Sequence, residues 1–345
     1  MAENTKIEWA THSFSPWIGC SRVHAGCTNC YAETMAGRLG VTWGPNGTRR
    51  RTANSTWKKV ELWNQKATRR YVCERCGGTG TQEDGCYDVN TGRYDSPAGM
   101  CRLCGSEGYL GQLDRPRVFP SLCDPFEDWW GPILDARGER LAVCEGGGYE
   151  IRRQRAKGQS WATIDDVRRD FFALIDRCQN LDFLLLTKRP ENVRRMWEEK
   201  PQALYRTPCD VDHRENVWLL YSASNQATLD AGSEYLRKCR DLCPVQGFSL
   251  EPLLGPVVVP LWVDLVIVGG ESGPNARPCN IEWIRSIVEQ CREAGVPCFV
   301  KQIGANAQKD HGEPIGWPER TRPRDPKGGD WDEWPEDLRV QEYPR

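Results

Sequence analysis

Three cysteines, Cys20, Cys27 and Cys30, stand on a C-x6-C-x2-C spacing inside the run Gly19-Cys20-Ser21-Arg22-Val23-His24-Ala25-Gly26-Cys27-Thr28-Asn29-Cys30-Tyr31. A structural zinc site closes itself with four ligands. Three thiolates on one loop instead leave a metal ion or an iron–sulfur cluster with an open position, where chemistry can occur. Gly19 and Gly26 each precede a cysteine, and glycine lets backbone wrap closely around an inorganic core. Two other readings compete: thiols that merely cluster in a reduced protein, and a closed Cys3His zinc site with His24 as fourth ligand.

A second set follows. Cys73, Cys76, Cys101 and Cys104 form two C-x2-C knuckles, each followed by glycine, with 24 residues between them. That spacing matches a four-thiolate zinc ribbon, with Cys86 between the knuckles as a substitute ligand or a free thiol. The chain holds 17 cysteines, an odd count, ten of them in the first 150 residues. Metal ligation explains that crowding better than disulfides do in a chain with no secretory pattern. Cys178, Cys239, Cys291 and Cys298 lie in apolar-patterned stretches and read as small buried hydrophobes.

The elements that must position these ligands become regular after residue 180. Short apolar runs at Asp182–Thr187, Val217–Tyr221, Val245–Leu250, Leu265–Val268 and Pro297–Val300 suit strands of a parallel sheet buried on both faces. Phe14–Ile18 and Arg117–Ser121 supply two earlier ones. Helical patterns alternate with them: one starts at the capping signal Thr163-Ile164-Asp165-Asp166, and another carries Ile281, Ile284, Ile287, Val288 and Cys291 on one face. The alternation predicts an α/β fold, a complete or partial (β/α) TIM-type barrel, with a doubly wound sheet as the alternative. Each strand ends in polar residues, on the edge where such folds place ligands. Residues 1–40 form the first strand and cysteine loop, 41–116 an inserted zinc-ribbon-like segment, and 117–305 the rest of the barrel with an excursion at 131–160. Residues 306–345 read as an extended tail.

The blocks Lys6-Ile7-Glu8-Trp9, Gly19-Cys20 through Glu33, Leu186-Thr187-Lys188-Arg189-Pro190, Asn216–Leu219, Ser249-Leu250-Glu251-Pro252-Leu253-Leu254-Gly255-Pro256, Gly269-Gly270-Glu271-Ser272-Gly273 and Val300-Lys301-Gln302 resemble a phage- and prophage-encoded three-cysteine family with kinship to radical SAM enzymes. Where that family has an acidic residue, this chain has Ser222-Ala223-Ser224-Asn225-Gln226, and its first cysteine interval is six residues where radical SAM enzymes usually have three. The resemblance implies a [4Fe-4S] cluster on Cys20, Cys27 and Cys30 that binds S-adenosylmethionine at its open iron. Reductive cleavage of the cofactor would then start radical modification of a substrate. Lys188 or Arg189 would pair the cofactor carboxylate. Ser222, Ser224 and Asn225 would bind its oxygens, and Glu251 its amine. Gly269 and Gly270 would admit a ligand to the backbone, with Glu271 fixing a cation. The resemblance also implies an electron donor such as flavodoxin or ferredoxin, and structural Zn2+ belongs to the ribbon.

Composition bounds the rest. With 46 basic and 48 acidic side chains, no global field draws the chain to nucleic acid or an anionic membrane. No apolar run is long enough to span a bilayer, which reads as a cytoplasmic protein, in the host cytoplasm if phage-encoded. Fifteen tryptophans, among them Trp9, Trp43, Trp57, Trp129, Trp130, Trp331 and Trp334 in polar surroundings, offer flat surfaces to a planar ligand or ordinary packing surfaces. With the ribbon, they point to a nucleobase in phage DNA or a nucleotide as substrate, peptides being the competitor. The alternatives to an enzyme of this kind are a zinc-only nucleic-acid-binding or adaptor protein and a zinc hydrolase. The thiol-rich donor set disfavours the hydrolase.

Overall fold

Strands that are apolar on both sides persist only when both faces are covered, and the fold covers them in two layers. This computed structural model describes residues 2–71, 87–88, 93–94, 115–143, 149–151, 160–198, 213–309 and 323–344. Eight strands form one curled, half-barrel sheet: β1 (Ala2–Glu3), β2 (His12–Ser13), β3 (Arg117–Phe119), β4 (Asp182–Thr187), β5 (Val217–Ala223), β6 (Val245–Leu250), β7 (Leu265–Gly269) and β8 (Cys298–Gln302). Their order in the sheet is their order in the chain. From β2 onward every pair is parallel, and only β1 runs antiparallel, against β2. A doubly wound sheet reverses its strand order at a switch point; this one does not.

Alternation along the strands sorts the side chains. Phe183, Leu185, Val217, Leu219, Tyr221, Phe248, Leu250, Val266, Val268 and Val300 join the larger core, which also holds the apolar residues of the helices Ile164–Arg177 and Ile281–Ala294. The intervening Leu184, Trp218, Leu220, Leu265, Ile267 and Phe299 form a separate inner core with Trp9 and Phe119. The expected capping box of helix Ile164–Arg177 is present, with Thr163 accepting from Asp166 N. Gly295, at φ 67°, ends helix Ile281–Ala294 in the left-handed region that glycine reaches without strain.

The β8 edge of the sheet is covered, which hides its unpaired backbone groups. Beyond β8 the chain returns antiparallel: Val300 N donates to Val340 O at 2.8 Å and Glu342 N to Cys298 O at 2.9 Å. Tyr343 then packs on Phe299 and Trp218 of the inner core, with the Arg117 guanidinium over its ring. The C-terminal segment also buries Trp334 and Leu338 in the larger core.

The first parallel strand departs from its expected bounds. It occupies His12–Ser13, and Phe14 N still donates to Phe119 O, but Pro16 has no N–H to continue the ladder. Trp17–Ile18 pairs antiparallel with Arg49–Arg51 in a small side sheet instead. In the excursion at 131–160, Leu141–Val143 pairs with Tyr149–Ile151 and with Ser160–Trp161. The zinc-ribbon expectation on Cys73, Cys76, Cys101 and Cys104 lies outside the described residues.

Candidate functional site

The strand parity that builds the inner core also carries its chemistry. One step beyond Leu184 and Leu186 comes Lys188; beyond Trp218 and Leu220 comes Ser222; beyond Gly247 come Ser249 and Glu251; beyond Phe299 comes Lys301. The apolar layer therefore gives way to a polar one at the C-terminal ends of the strands. There Lys188, Ser222, Ser249, Glu251, Glu271 and Lys301 line one cavity of about 740 Å³, including space open to solvent. Its apolar wall comes from Ile7, Trp9, Phe119 and Leu186. Lys188 Nζ donates to Ser222 Oγ at 2.9 Å, and Ser222 Oγ donates to Glu251 O at 3.3 Å. Lys301 Nζ lies 3.0 Å from Glu251 Oε1. Among the described residues no carboxylate pairs with Lys188, so its charge is available to an anionic ligand.

The cysteine loop lies against this mouth. Gly19, at φ 122°, turns the chain into the loop, and a Cβ there would stand 2.4 Å from Thr48 O. Gly26 seats the loop on the end of β5: a Cβ would lie 2.1 Å from Ser224 Oγ. Cys20, Cys27 and Cys30 all line a second cavity of about 630 Å³, again partly open, together with Cys123, Lys188 and Arg189. The two cavities share Cys30, Tyr31, Phe119, Leu186 and Lys188.

Two polar clamps fix the loop. On the Cys20 side, Glu127 takes Arg49 in a two-pronged pair at 2.6 and 2.7 Å, with both side chains buried. Arg49 stacks on Trp129 at 4.1 Å and donates to Ser21 Oγ at 2.7 Å. Arg189 donates to Asp124 Oδ2 at 2.9 Å, to Ser21 O at 2.8 Å and to Cys20 Sγ at 3.5 Å. On the other side, Glu271 accepts from Asn29 Nδ2 at 3.0 Å and from Arg277 N, Nε and Nη2 at 2.9, 2.9 and 2.5 Å. Arg277 reaches on to Ala25 O at 2.8 Å.

The electrostatics follow. Burial pushes the Cys20 thiol up to about 12, with the Glu127 and Asp124 charges adding to it and Arg189 working against it. Without a metal that thiol stays protonated, and ligation would have to displace the proton. Burial, with the Lys188 charge adding to it, lowers His24 to about 4, so the ring is neutral near pH 7. Its Nδ1 accepts from Gly26 N at 3.0 Å, which leaves Nε2–H to donate to Ser222 O at 3.4 Å. Both ring nitrogens are thus engaged within the protein, and His24 pins the loop rather than joining the thiols as a fourth ligand. Burial works to raise the Glu271 carboxyl, but the bonds from Arg277 and Asn29 win and hold it below the usual carboxylate range.

The expected site residues divide. Lys188, Ser222, Glu251, Gly270 and Glu271 meet in the strand-end cavity, and the three cysteines in the adjoining one. Asn225 is occupied in capping helix Gln226–Arg237, and Ser224 is buried beneath Gly26. Gly269 and Gly270 are close-approach positions for neighbouring chain: Cβ atoms there would lie 3.0 Å from Gln302 O and 2.4 Å from Ile303 O. The cation that Glu271 fixes is Arg277. Sequence assigns no site role to Arg49, Asp124, Glu127, Arg277 or Lys301, although Lys301 follows the apolar run Pro297–Val300 and Arg277 stands just after the Gly269-to-Gly273 block. Of the tryptophans, Trp9, Trp57 and Trp334 pack in cores, while Trp130 is 88% exposed.

Among the described residues no three His, Cys, Asp or Glu side chains converge as the ligands of one metal ion do. A cluster places each thiolate on a different iron, so its ligands need not meet at a point. The donor chemistry fits such a group: three thiols on one cavity wall, a loop closed tightly by glycine, and a guanidinium beside Cys20. Among the described residues no helix is long and apolar enough to cross a membrane. No curated protein and no solved structure matches the chain. A family model does: that of Protein of unknown function (DUF5131), over residues 4–76 and 161–335, which include the cysteine loop and β4–β8. The match covers more than half of the chain, which therefore belongs to that family.

Proposed function

We propose that this chain is a radical SAM enzyme, with Cys20, Cys27 and Cys30 holding a [4Fe-4S] cluster and the strand-end cavity receiving S-adenosylmethionine and a substrate. The half-barrel is read as the partial (β/α) barrel of that class. The observation that carries the reading is the junction of the two cavities. A wall of three thiols runs directly into a polar mouth through Cys30, Tyr31, Phe119, Leu186 and Lys188. When bound, the cluster would supply a low-potential electron and an open iron for the cofactor.

This chain's own residues would do the rest. Lys188, oriented by Ser222, would bind the cofactor carboxylate in a charge-assisted bond. Glu251, held by Lys301, would accept from its amine. Ile7, Trp9 and Phe119 would shield the reacting groups from water. Cavity sizes in this range suit a ligand of small-molecule dimensions, so the substrate enters as a small molecule or as one extruded group of a larger one. A nucleobase of phage DNA or a free nucleotide fits that bound, with flavodoxin or ferredoxin as electron donor and structural zinc on the second cysteine set. Anaerobic reconstitution tests the reading: a brown protein with about four irons per chain is expected, and a colourless, iron-free protein ends it.

A further inference from the structure

Lys188 and Arg189 are adjacent in sequence but serve different groups. Lys188 faces the strand-end cavity through Ser222. Arg189 turns to the thiol side, where Nη1 reaches Cys20 Sγ at 3.5 Å and Asp124 Oδ2 at 2.9 Å, and Nη2 reaches Ser21 O at 2.8 Å. Its setting is rigid. Arg189 N donates to Thr187 Oγ1 at 2.9 Å, and that hydroxyl donates to Asp124 Oδ1 at 2.7 Å. Glu127, fixed by Arg49, lies 3.5 Å from Nη2.

We propose that Arg189 is a positioning residue that raises the reduction potential of the group held by Cys20, an inference that rests on the iron–sulfur reading above. An N–H bond to a ligating sulfur draws electron density from it, and such bonds are a recognised lever on cluster potential. One-electron reduction takes an electron from an external reductant and adds one negative charge to the group. No bond at Arg189 forms or breaks and no proton moves. The reduced state holds the donor more strongly, so the donor favours reduction. Asp124 and Glu127 counterbalance the charges of Arg189 and Arg49, and this makes the direct contact and its local balance the working parts.

The test is potentiometric titration of the reconstituted full-length chain with dithionite, followed by the electron paramagnetic resonance signal of the reduced cluster. Arg189→Gln is expected to make reduction roughly tenfold less favourable, a lowering of about 59 mV for one electron. Asp124→Asn leaves Arg189 in place with one counter-charge fewer and is expected to shift the potential the opposite way. Arg189→Lys, which keeps the charge without the fork, should fall between Arg189→Gln and wild type. A purely structural role would move both main variants in the same direction or neither, and that result overturns the inference. If Arg189→Gln folds but takes up no iron, Asp124→Asn decides: an upward shift supports the inference, and no shift or a downward one overturns it. Iron-free wild-type protein would instead remove the iron–sulfur reading itself. Iron-loaded proteins with equal potentials remove only the role of Arg189.

Discussion

The two clamps on the cysteine loop differ in depth. At Cys20, the Arg49 and Glu127 side chains are 0% and 1% exposed and those of Arg189 and Asp124 are 11% and 7%. At the Cys27–Cys30 end, Glu271 is 6% exposed but its partner Arg277 is 27%. A buried pair whose donors are all used is barely screened, and breaking it strands a charge. A pair that reaches the surface competes with water and salt. The loop is thus rooted at its first cysteine and more adjustable around the other two, of which Cys30 borders the strand-end cavity.

That contrast can be broken or sharpened in order of effect. Replacing any one of Cys20, Cys27 and Cys30 with serine should abolish stable cluster loading, read as lost visible absorbance and lost iron. A variant that loads normally would show that its anchor presents no ligand. Glu127→Gln strands Arg49 in the interior and should cost about 3–5 kcal/mol in denaturant unfolding. Lys188→Ala should leave stability nearly unchanged while weakening S-adenosylmethionine binding by roughly 10- to 100-fold, the loss of one charged hydrogen bond. Equilibrium binding measures this, and unchanged affinity would take Lys188 out of the ligand site.

Glu271→Gln is the mildest, at about 1.5 kcal/mol; a cost equal to that of Glu127→Gln would erase the difference in depth. It carries a pH signature in the metal-free protein. The folded carboxyl sits below its unfolded value. Its stabilisation is therefore complete above the ordinary carboxylate range and is lost as pH falls through the folded value. Wild type should lose stability in acid more steeply than Glu271→Gln, and parallel pH curves would show that the pair does not hold the loop.

Sequence patterning exposed the sheet well because β4–β8 are short apolar runs that stop at polar residues. Lys188, Ser222 and Glu251 stand out for that same reason. The clamps were not legible. Arg49 and Glu127 are 78 positions apart, and Asn29 and Glu271 are 242 apart. No local period links such partners, and Arg49, the first of three arginines in Thr48-Arg49-Arg50-Arg51, looks like part of any solvated basic run. Gly269-Gly270-Glu271 misled in an instructive way. Glycine next to glutamate suits a ligand cradle, but it equally suits close backbone packing beside an internal ion pair, and only the neighbours decide. The first strand lies earlier than its composition suggests because apolar Phe14–Ile18 continues across Pro16 while its hydrogen bonding does not.

The seating of Tyr343 and the pairing of Val340–Glu342 along β8 bear on biosynthesis. The interior of the sheet that begins at Ala2 cannot be finished until residue 343 has left the ribosome. At about 5–20 residues per second, roughly 15–60 s separate the emergence of the cysteine loop from that moment. During this interval its thiols lack the finished sheet around them and stand open to oxidation while the chain is still being made.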